Sequence, residues 1–263
     1  MDNAMDAYWQ APPIARNLAT AVLAATIGTT LGLLPANQFF FHPFYLWRFP
    51  PQIWRILTCF LITGPQMGIL FDTYFLYRYL SMLEVGNPRF SRKEDVIWYL
   101  MFVGGTILTI NSAIGLPFFQ FLHALILAVC YTVTQDQRGM KANFYFINIP
   151  AQLTPYCMIA INLLFPGGPM MMLLQAEGLV AAHLYDFLTR IWPQFGGSGR
   201  SLIPTPAVLT TAVNAVSRWT SRAGVAAPPR GAGAGASTGS ATGASRGPLP
   251  DSWRSRGPGH RLG

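Results

Sequence analysis

Charged residues are scarce in this sequence. Asp, Glu, Lys and Arg make up 11% of the 263 residues, whereas hydrophobic residues make up 51%. Soluble globular domains carry about 25% charged residues. The deficit argues against an ordinary soluble domain and indicates a protein whose apolar surface lies in a membrane.

Cysteine is also rare. Cys59, Cys130 and Cys157 lie far apart in apolar stretches, and the sequence has no C-x-x-C pair and no cysteine–histidine group at metal spacing. Such isolated cysteines are typical of small apolar core residues. We therefore predict no metal site and no cofactor.

Acidic residues are almost missing from the C-terminal part. From Arg190 onward there are nine arginines and one acid, Asp251, a surplus that equals the whole net charge of +8. The first 189 residues hold nine basic and nine acidic residues. The basic tail lacks the aromatic pattern and the fold signature of a nucleic-acid-binding protein, so no nucleic-acid partner is predicted.

Long hydrophobic runs are present, but they are short or interrupted. The unbroken apolar run at 97–110 would span only about 21 Å as a helix, against about 30 Å for the hydrocarbon core of a bilayer. We predict an all-α membrane protein whose six transmembrane helices lie at about 18–34, 60–83, 96–112, 116–134, 144–165 and 171–190.

Basic residues in the loops predict the orientation. Lys and Arg cluster after the second, fourth and sixth segments and are absent after the third and fifth. By the positive-inside rule, both termini face the cytosol. Arg48 and Arg55, in the first loop, are the exception.

The first loop and the tail differ sharply in composition. Eight aromatic residues between Phe39 and Trp54 predict a loop that lies in the outer leaflet beside the bundle, with an ordinary aromatic belt as the alternative. After Trp192 the chain is rich in Gly, Ala, Ser and Pro. We predict a membrane domain at 1–192 and a disordered cytosolic tail at 193–263, with a short helix near 205–219.

Several motifs together resemble the Derlin family. They are QIWRILT with Trp54 and Arg55, FLYRY followed by LEVG in the second segment, and GLVAAHLYDFL in the sixth. The resemblance covers about 13–188 and implies a rhomboid-like fold without protease activity, in the membrane of the endoplasmic reticulum.

The resemblance also marks candidate site residues. It implies a family motif at Trp54 and Arg55 and a helix-packing motif at Gly178, Ala182 and His183. Ala182 stands where the family usually has a second glycine, and small residues four apart still let helices approach closely.

Three titratable residues in the sixth segment raise the question of catalysis. Rhomboid proteases, which this chain also resembles, pair a serine of the fourth span with a histidine of the sixth. His183 fits the histidine, but the fourth segment contains no serine. We predict a non-catalytic protein, with an active intramembrane serine protease as the alternative. Asp186 is expected to pair with a buried donor, and Glu177 to lie near the lumenal end, within reach of water.

The end of the tail, RGPGHRLG, resembles the short box by which Derlins recruit the valosin-containing-protein AAA ATPase. Gly257, Gly259 and Leu262 match the pattern, and Gly263 completes the box, which we place within 253–263. The aromatic residue that the family places just before the first glycine is missing there.

The resemblance implies a role in moving misfolded proteins to the cytosol for degradation. The implied partners are this ATPase, a membrane RING ubiquitin ligase, misfolded substrates, the lipid bilayer and further copies of the chain. A small-molecule transporter is a third hypothesis, but we find no internal repeat of the kind that transporters carry.

Overall fold

The computed structural model describes residues 2–47, 49, 51–64, 67–137, 139–144, 147–164, 167–195 and 203–222. Over these ranges the chain is mostly helical, in agreement with the predicted all-α class, with one small two-stranded sheet. The α-helices are α1 Asp2–Gln10, α2 Pro13–Thr30, α3 Pro43–Trp47, α4 Arg55–Thr58, α5 Met67–Gly86, α6 Lys93–Ile114, α7 Leu122–Asp136, α8 Thr154–Asn162, α9 Gly168–Asp186, α10 Trp192–Phe195 and α11 Ala207–Arg222. Short 3₁₀ turns cover Ala36–Gln38, Pro88–Phe90 and Ala151–Leu153, a π-helical turn covers Phe187–Ile191, and the strands are β1 Lys141–Phe144 and β2 Ile147–Pro150.

The fifth predicted segment is only partly helical. Its first part belongs to an antiparallel hairpin in which β1 pairs with β2, from Lys141 opposite Pro150 to Phe144 opposite Ile147. Only α8, with nine residues, remains as helix. The prediction of a helix across 144–165 is therefore wrong in its first part, because Pro150 ends a strand there and Pro155 opens the helix.

Among the helices of the described ranges, α6 alone is both long and apolar enough to cross a membrane on length and composition. It has 22 residues and a mean hydropathy of 1.5. The six spans of the sequence analysis thus remain a prediction for the other segments.

The ends of α6 follow from local chemistry. Glu94 and Asp95 occupy its first turn, where negative charge is favourable near the helix N-terminus. Gly115 ends the helix with φ of 74°, a left-handed conformation that glycine adopts without steric cost.

Helices α2 and α5 pack side by side and run antiparallel. The carboxylate of Glu84, near the end of α5, accepts hydrogen bonds from the backbone N–H groups of Ile14 at 3.0 Å and Ala15 at 3.1 Å. These groups open α2 and have no partner within the helix, so Glu84 supplies a cap. At the opposite end, the N–H of Thr63 donates to Oγ1 of Thr26 at 3.3 Å.

Helix α7 is the centre of the bundle. It contacts α5, α6, α8 and α9, and all its residues from Ala124 to Thr134 are buried. Most of the large apolar side chains that are almost fully buried come from α5, α6 and α7 and from the residue before α7, and Val22 comes from α2; they include Leu76, Leu80, Tyr99, Ile107, Phe121 and Leu127. Because neighbours surround α7, its 15 residues need not meet lipid directly.

Helical structure continues beyond the predicted domain boundary at residue 192. Within the predicted tail, α11 contacts α6, and Oγ1 of Thr205 donates to Oδ1 of Asp95 at 2.6 Å. The proposed ATPase-binding residues Gly257, Gly259, Leu262 and Gly263 lie outside the described residues.

Candidate functional site

The two residues of the first-loop motif have opposite environments. Trp54 is 51% exposed, whereas Arg55 is buried. The guanidinium of Arg55 donates to the carbonyl oxygens of Asn37 and Phe40, each at 2.6 Å, and lies 4.4 Å from the ring centroid of Tyr45. Arg55 thus ties separate parts of the first loop together through hydrogen bonds and a cation–π contact.

The first loop is also docked on the connection between α6 and α7. The N–H of Phe41 donates to the carbonyl of Phe119 at 3.0 Å, and the N–H of Phe121 donates to the carbonyl of Cys59 at 3.0 Å. The buried rings of Phe41 and Phe121 meet edge to face, with centroids 6.0 Å apart. The loop is therefore part of the fold, held by backbone hydrogen bonds and aromatic packing.

The contact between α7 and α9, called here the α7–α9 seam, begins at Gly178. A Cβ atom at Gly178 would lie 2.0 Å from the carbonyl oxygen of Ala124, so only glycine fits. Ala181 and Ala182 follow on the same side of α9 and are fully buried. Small residues here let the two backbones touch.

His183 lies further along the same seam. It is exposed, and its Nδ1 lies 2.9 Å from the hydroxyl of Tyr131 on α7. The histidine of the motif therefore has a tyrosine hydroxyl as its partner. Cys130, beside Tyr131, is fully buried within the core.

A cluster of charges lies where α7 and α9 end. Arg89, from the turn after α5, places Nη1 3.1 Å from Oδ1 of Asp136 and 3.0 Å from Oδ1 of Asp186. Its Nη2 donates to Oγ1 of Thr189 at 3.2 Å. Arg190 adds a second positive charge, 3.6 Å from Asp136. The expectation that Asp186 pairs with a donor is confirmed. The donor is Arg89, which is partly exposed and not buried as expected.

The same cluster keeps Arg89 charged. Burial by itself disfavours the charged guanidinium, but the negative charges of Asp136 and Asp186 outweigh it and raise the pKa of Arg89. In the sequence, Arg89 is one of the basic residues that follow the second segment. Its partners follow it by 47 and 97 residues, so no local pattern could reveal them.

A second polar group joins α5 to α7. Oδ2 of Asp72 lies 3.1 Å from Nε2 of His123 and also accepts a hydrogen bond from the hydroxyl of Thr63. In the sequence, Asp72 is a charged residue inside the apolar second segment and His123 a single histidine in the fourth, and neither belongs to a recognisable motif. Polar residues inside apolar segments tend to pair with one another, and that rule could have suggested this contact.

Glu177 is buried, whereas the sequence predicted that water would reach it. Its side chain lies within the bundle at 4% exposure, and neither carboxylate oxygen has a hydrogen-bond partner among the described residues. Gln175, two residues earlier, accepts a hydrogen bond from Asn162 of α8 at 2.8 Å. The expectation for Glu177 was wrong because α9 turns that side chain inward.

Comparison with known proteins identifies the family. The model of the Der1-like family matches residues 11–207. The chain belongs to the Der1-like family. It is 30% identical to Derlin-1 of Arabidopsis thaliana over 236 residues. This aligned region covers 88% of this chain and 84% of the relative.

Other relatives give the same result. Derlin-1 of Homo sapiens is 30% identical over 215 residues, covering 80% of this chain and 82% of that protein. Derlin-2.1 of Zea mays is 28% identical over 214 residues, covering 77% of this chain and 83% of that protein. The Derlin resemblance inferred from the motifs is confirmed, and the matched region contains Arg55, Gly178 and His183 of this Der1-like chain.

Proposed function

We propose that this Der1-like protein is a non-catalytic component of endoplasmic-reticulum-associated degradation that helps misfolded lumenal or membrane proteins reach the cytosol. Family membership supports an ERAD-related role and a place in the membrane of the endoplasmic reticulum. The proposal has three finer parts. The protein takes part in retrotranslocation, it has six spans with cytosolic termini, and it works with an AAA ATPase and a RING ubiquitin ligase.

The shortness of α8 is the observation that carries the mechanism. Its nine residues correspond to about 14 Å, half or less of a hydrocarbon core of about 30 Å. Unlike the enclosed α7, α8 has an exposed side that includes Tyr156. A short element that faces lipid forces the bilayer to thin or deform nearby. Thinning on the α8 side would lower the cost of moving polar chain across the membrane.

The first loop is the proposed entrance for substrates. Its exposed apolar side chains include Phe44, Trp54 and Leu57, while Arg55 holds the loop in place from behind. Such a surface suits an unfolded chain with apolar segments. A side opening between the second and fifth segments would let the chain enter the membrane.

The bilayer mechanism is tested by imaging the full chain in lipid nanodiscs. We expect the membrane to be thinner beside α8 than on the far side of the bundle. The matched control is the same measurement in nanodiscs of shorter-chain lipid, where the difference between the two sides should shrink. Leaflets of equal depth around the whole protein would contradict the mechanism.

The tail proposal is tested separately by co-purification of the ATPase. Deletion of residues 253–263 should abolish recovery, and the variant Leu262→Ala should reduce it. Pro248→Ala, outside the box, is the control and should leave recovery unchanged. Unchanged recovery after the deletion would refute the box without affecting the bilayer mechanism.

The absence of catalysis is tested with covalent serine-hydrolase probes. We expect no specific labelling, because α7 offers His183 no serine. Labelling that disappears in His183→Ala would support an active protease instead.

A further inference from the structure

A groove between α1, α2 and α5 lies away from the sites described above. The groove is open on one side and has a volume of about 530 Å³, within the usual range for small-molecule sites. The lining changes from polar at one end of the groove to apolar at the other. One side consists of Tyr8, Arg16, Ala19, Thr20 and Leu23, and the other of Tyr77, Tyr74, Thr73, Leu70 and Ile69.

The polar end of the groove contains a buried cation. Arg16 is 9% exposed, and no carboxylate of the described residues forms an ion pair with it. Its Nη1 donates to the carbonyls of Trp9 at 3.0 Å and Tyr8 at 3.4 Å, and its Nε donates to Oδ1 of Asn17 at 3.4 Å. The guanidinium also lies 4.6 Å from the ring centroid of Trp9 and 5.1 Å from that of Tyr8. These partners hold the side chain in place, but all of them are uncharged. A buried charge without a counter-ion is costly.

Away from Arg16, the lining of the groove is mostly apolar and ends at Leu23, Leu70 and Ile69. From Arg16 to Leu23 it follows two turns of α2, about 10 Å. Because α2 and α5 run antiparallel, Tyr77 lies toward the Arg16 end and Ile69 toward the Leu23 end. An anion at one end and a hydrocarbon chain at the other would together complement this lining.

We propose that the groove binds a phospholipid, with its phosphate at Arg16 and an acyl chain along Leu23, Leu70 and Ile69. A free anion would satisfy Arg16 but would leave the apolar length of the groove uncovered. A membrane supplies a molecule that has both parts. This site is independent of the proposed degradation role and of the first loop.

The experiment is native mass spectrometry of the full chain. Delipidated protein is titrated with dioleoylphosphatidylglycerol, and the fraction that retains one lipid is measured. Arg16→Gln keeps hydrogen-bond donors but removes the charge, and we expect binding roughly tenfold weaker or more. Leu23→Trp fills the apolar part and should abolish retention.

Ala21→Trp is the matched control, because Ala21 is exposed on α2 and is not part of the groove lining. We expect it to bind lipid like the wild type. A melting measurement on each variant identifies any that fail to fold. If Arg16→Gln does not fold, Leu23→Trp still tests the proposal.

Two results would overturn the proposal. One is equal lipid retention by the wild type, Arg16→Gln and Leu23→Trp. The other is binding of glycerol phosphate, which has no acyl chain, as tight as that of the lipid and unaffected by Leu23→Trp. The second result would indicate an anion site without a lipid.

Discussion

The two halves of the α7–α9 seam are held by different chemistry. Near the start of α7, where it meets the middle of α9, the backbones touch at Ala124 and Gly178, and no side-chain hydrogen bond is involved in that contact. Near the end, Tyr131 bonds to His183, and Arg89 joins Asp136 to Asp186. Because successive contacts advance in the same direction along both helices, α7 and α9 run parallel. One interface thus combines close packing with charge pairing.

The difference between the halves predicts different tolerance to change. Backbone contact is a matter of shape, so any added atom forces the helices apart. Charge pairing depends on each partner, because removal of one leaves another charge without compensation. The first half should therefore respond to size and the second half to charge and ionic strength.

The largest effect is expected from Gly178→Ala. The new Cβ would lie 2.0 Å from the oxygen and 2.7 Å from the carbon of the Ala124 carbonyl, and backbone cannot rotate away. We expect a loss of about 3 kcal/mol or more in the free energy of unfolding, the upper range for overpacking. The measurement is the melting temperature of the purified chain in detergent. Val180→Ala, at an exposed position of the same helix, is the control, and an unchanged melting temperature in Gly178→Ala would contradict the close contact.

A smaller loss is expected from Arg89→Met. The change leaves Asp136 and Asp186, which are mostly buried, without their shared partner. Breaking a fully buried pair costs about 3–5 kcal/mol, and partial exposure together with the nearby Arg190 reduces this to about 2 kcal/mol. Arg89→Lys keeps the charge and should lose about half as much. Equal melting temperatures of Arg89→Met and the wild type would show that Arg190 alone suffices.

The sequence predicted the first half of the seam better than the second. Small residues at Gly178 and Ala182 form a local pattern four residues apart, and such a pattern indicates close helix packing without knowledge of the partner. The partner of Asp186 could be expected only as a donor, because Arg89 precedes it by 97 residues. Local patterns identify which face of a helix is buried, whereas the pairing of distant charges depends on the folded arrangement.

The hairpin at 141–150 was missed for a related reason. Short apolar runs fit a strand or a buried helix equally well when they are read alone. Asn148 and Pro150 lie within the helix predicted at 144–165, yet they belong to β2. The inward position of Glu177 was likewise not visible in the sequence, because a predicted span without a known neighbour has no defined inner face.

Ionic strength should separate the two halves further. Salt screens partly exposed charges, so raising it from ~0.05 M to ~0.5 M should weaken the Arg89 cluster by about 1 kcal/mol or less. Arg89→Met should then show less salt sensitivity than the wild type, whereas Gly178→Ala should show the same sensitivity. If all three proteins respond alike to salt, measured as the shift in melting temperature, the charges at the end of the seam contribute nothing specific.

The smallest effect is expected from Tyr131→Phe, which removes the hydroxyl that contacts Nδ1 of His183 at 2.9 Å. His183 is exposed, so it can find another partner after the change, and a single hydrogen bond contributes about 0.5–1.5 kcal/mol. A double-mutant cycle with His183→Ala isolates the pair, and we expect a coupling of about 0.5 kcal/mol. No coupling would mean that the histidine does not help to hold the seam, and its role would have to lie at its exposed edge. A coupling as large as the effect of Arg89→Met would instead make Tyr131 and His183 a principal clamp of the second half, equal to the ion pairs that follow it.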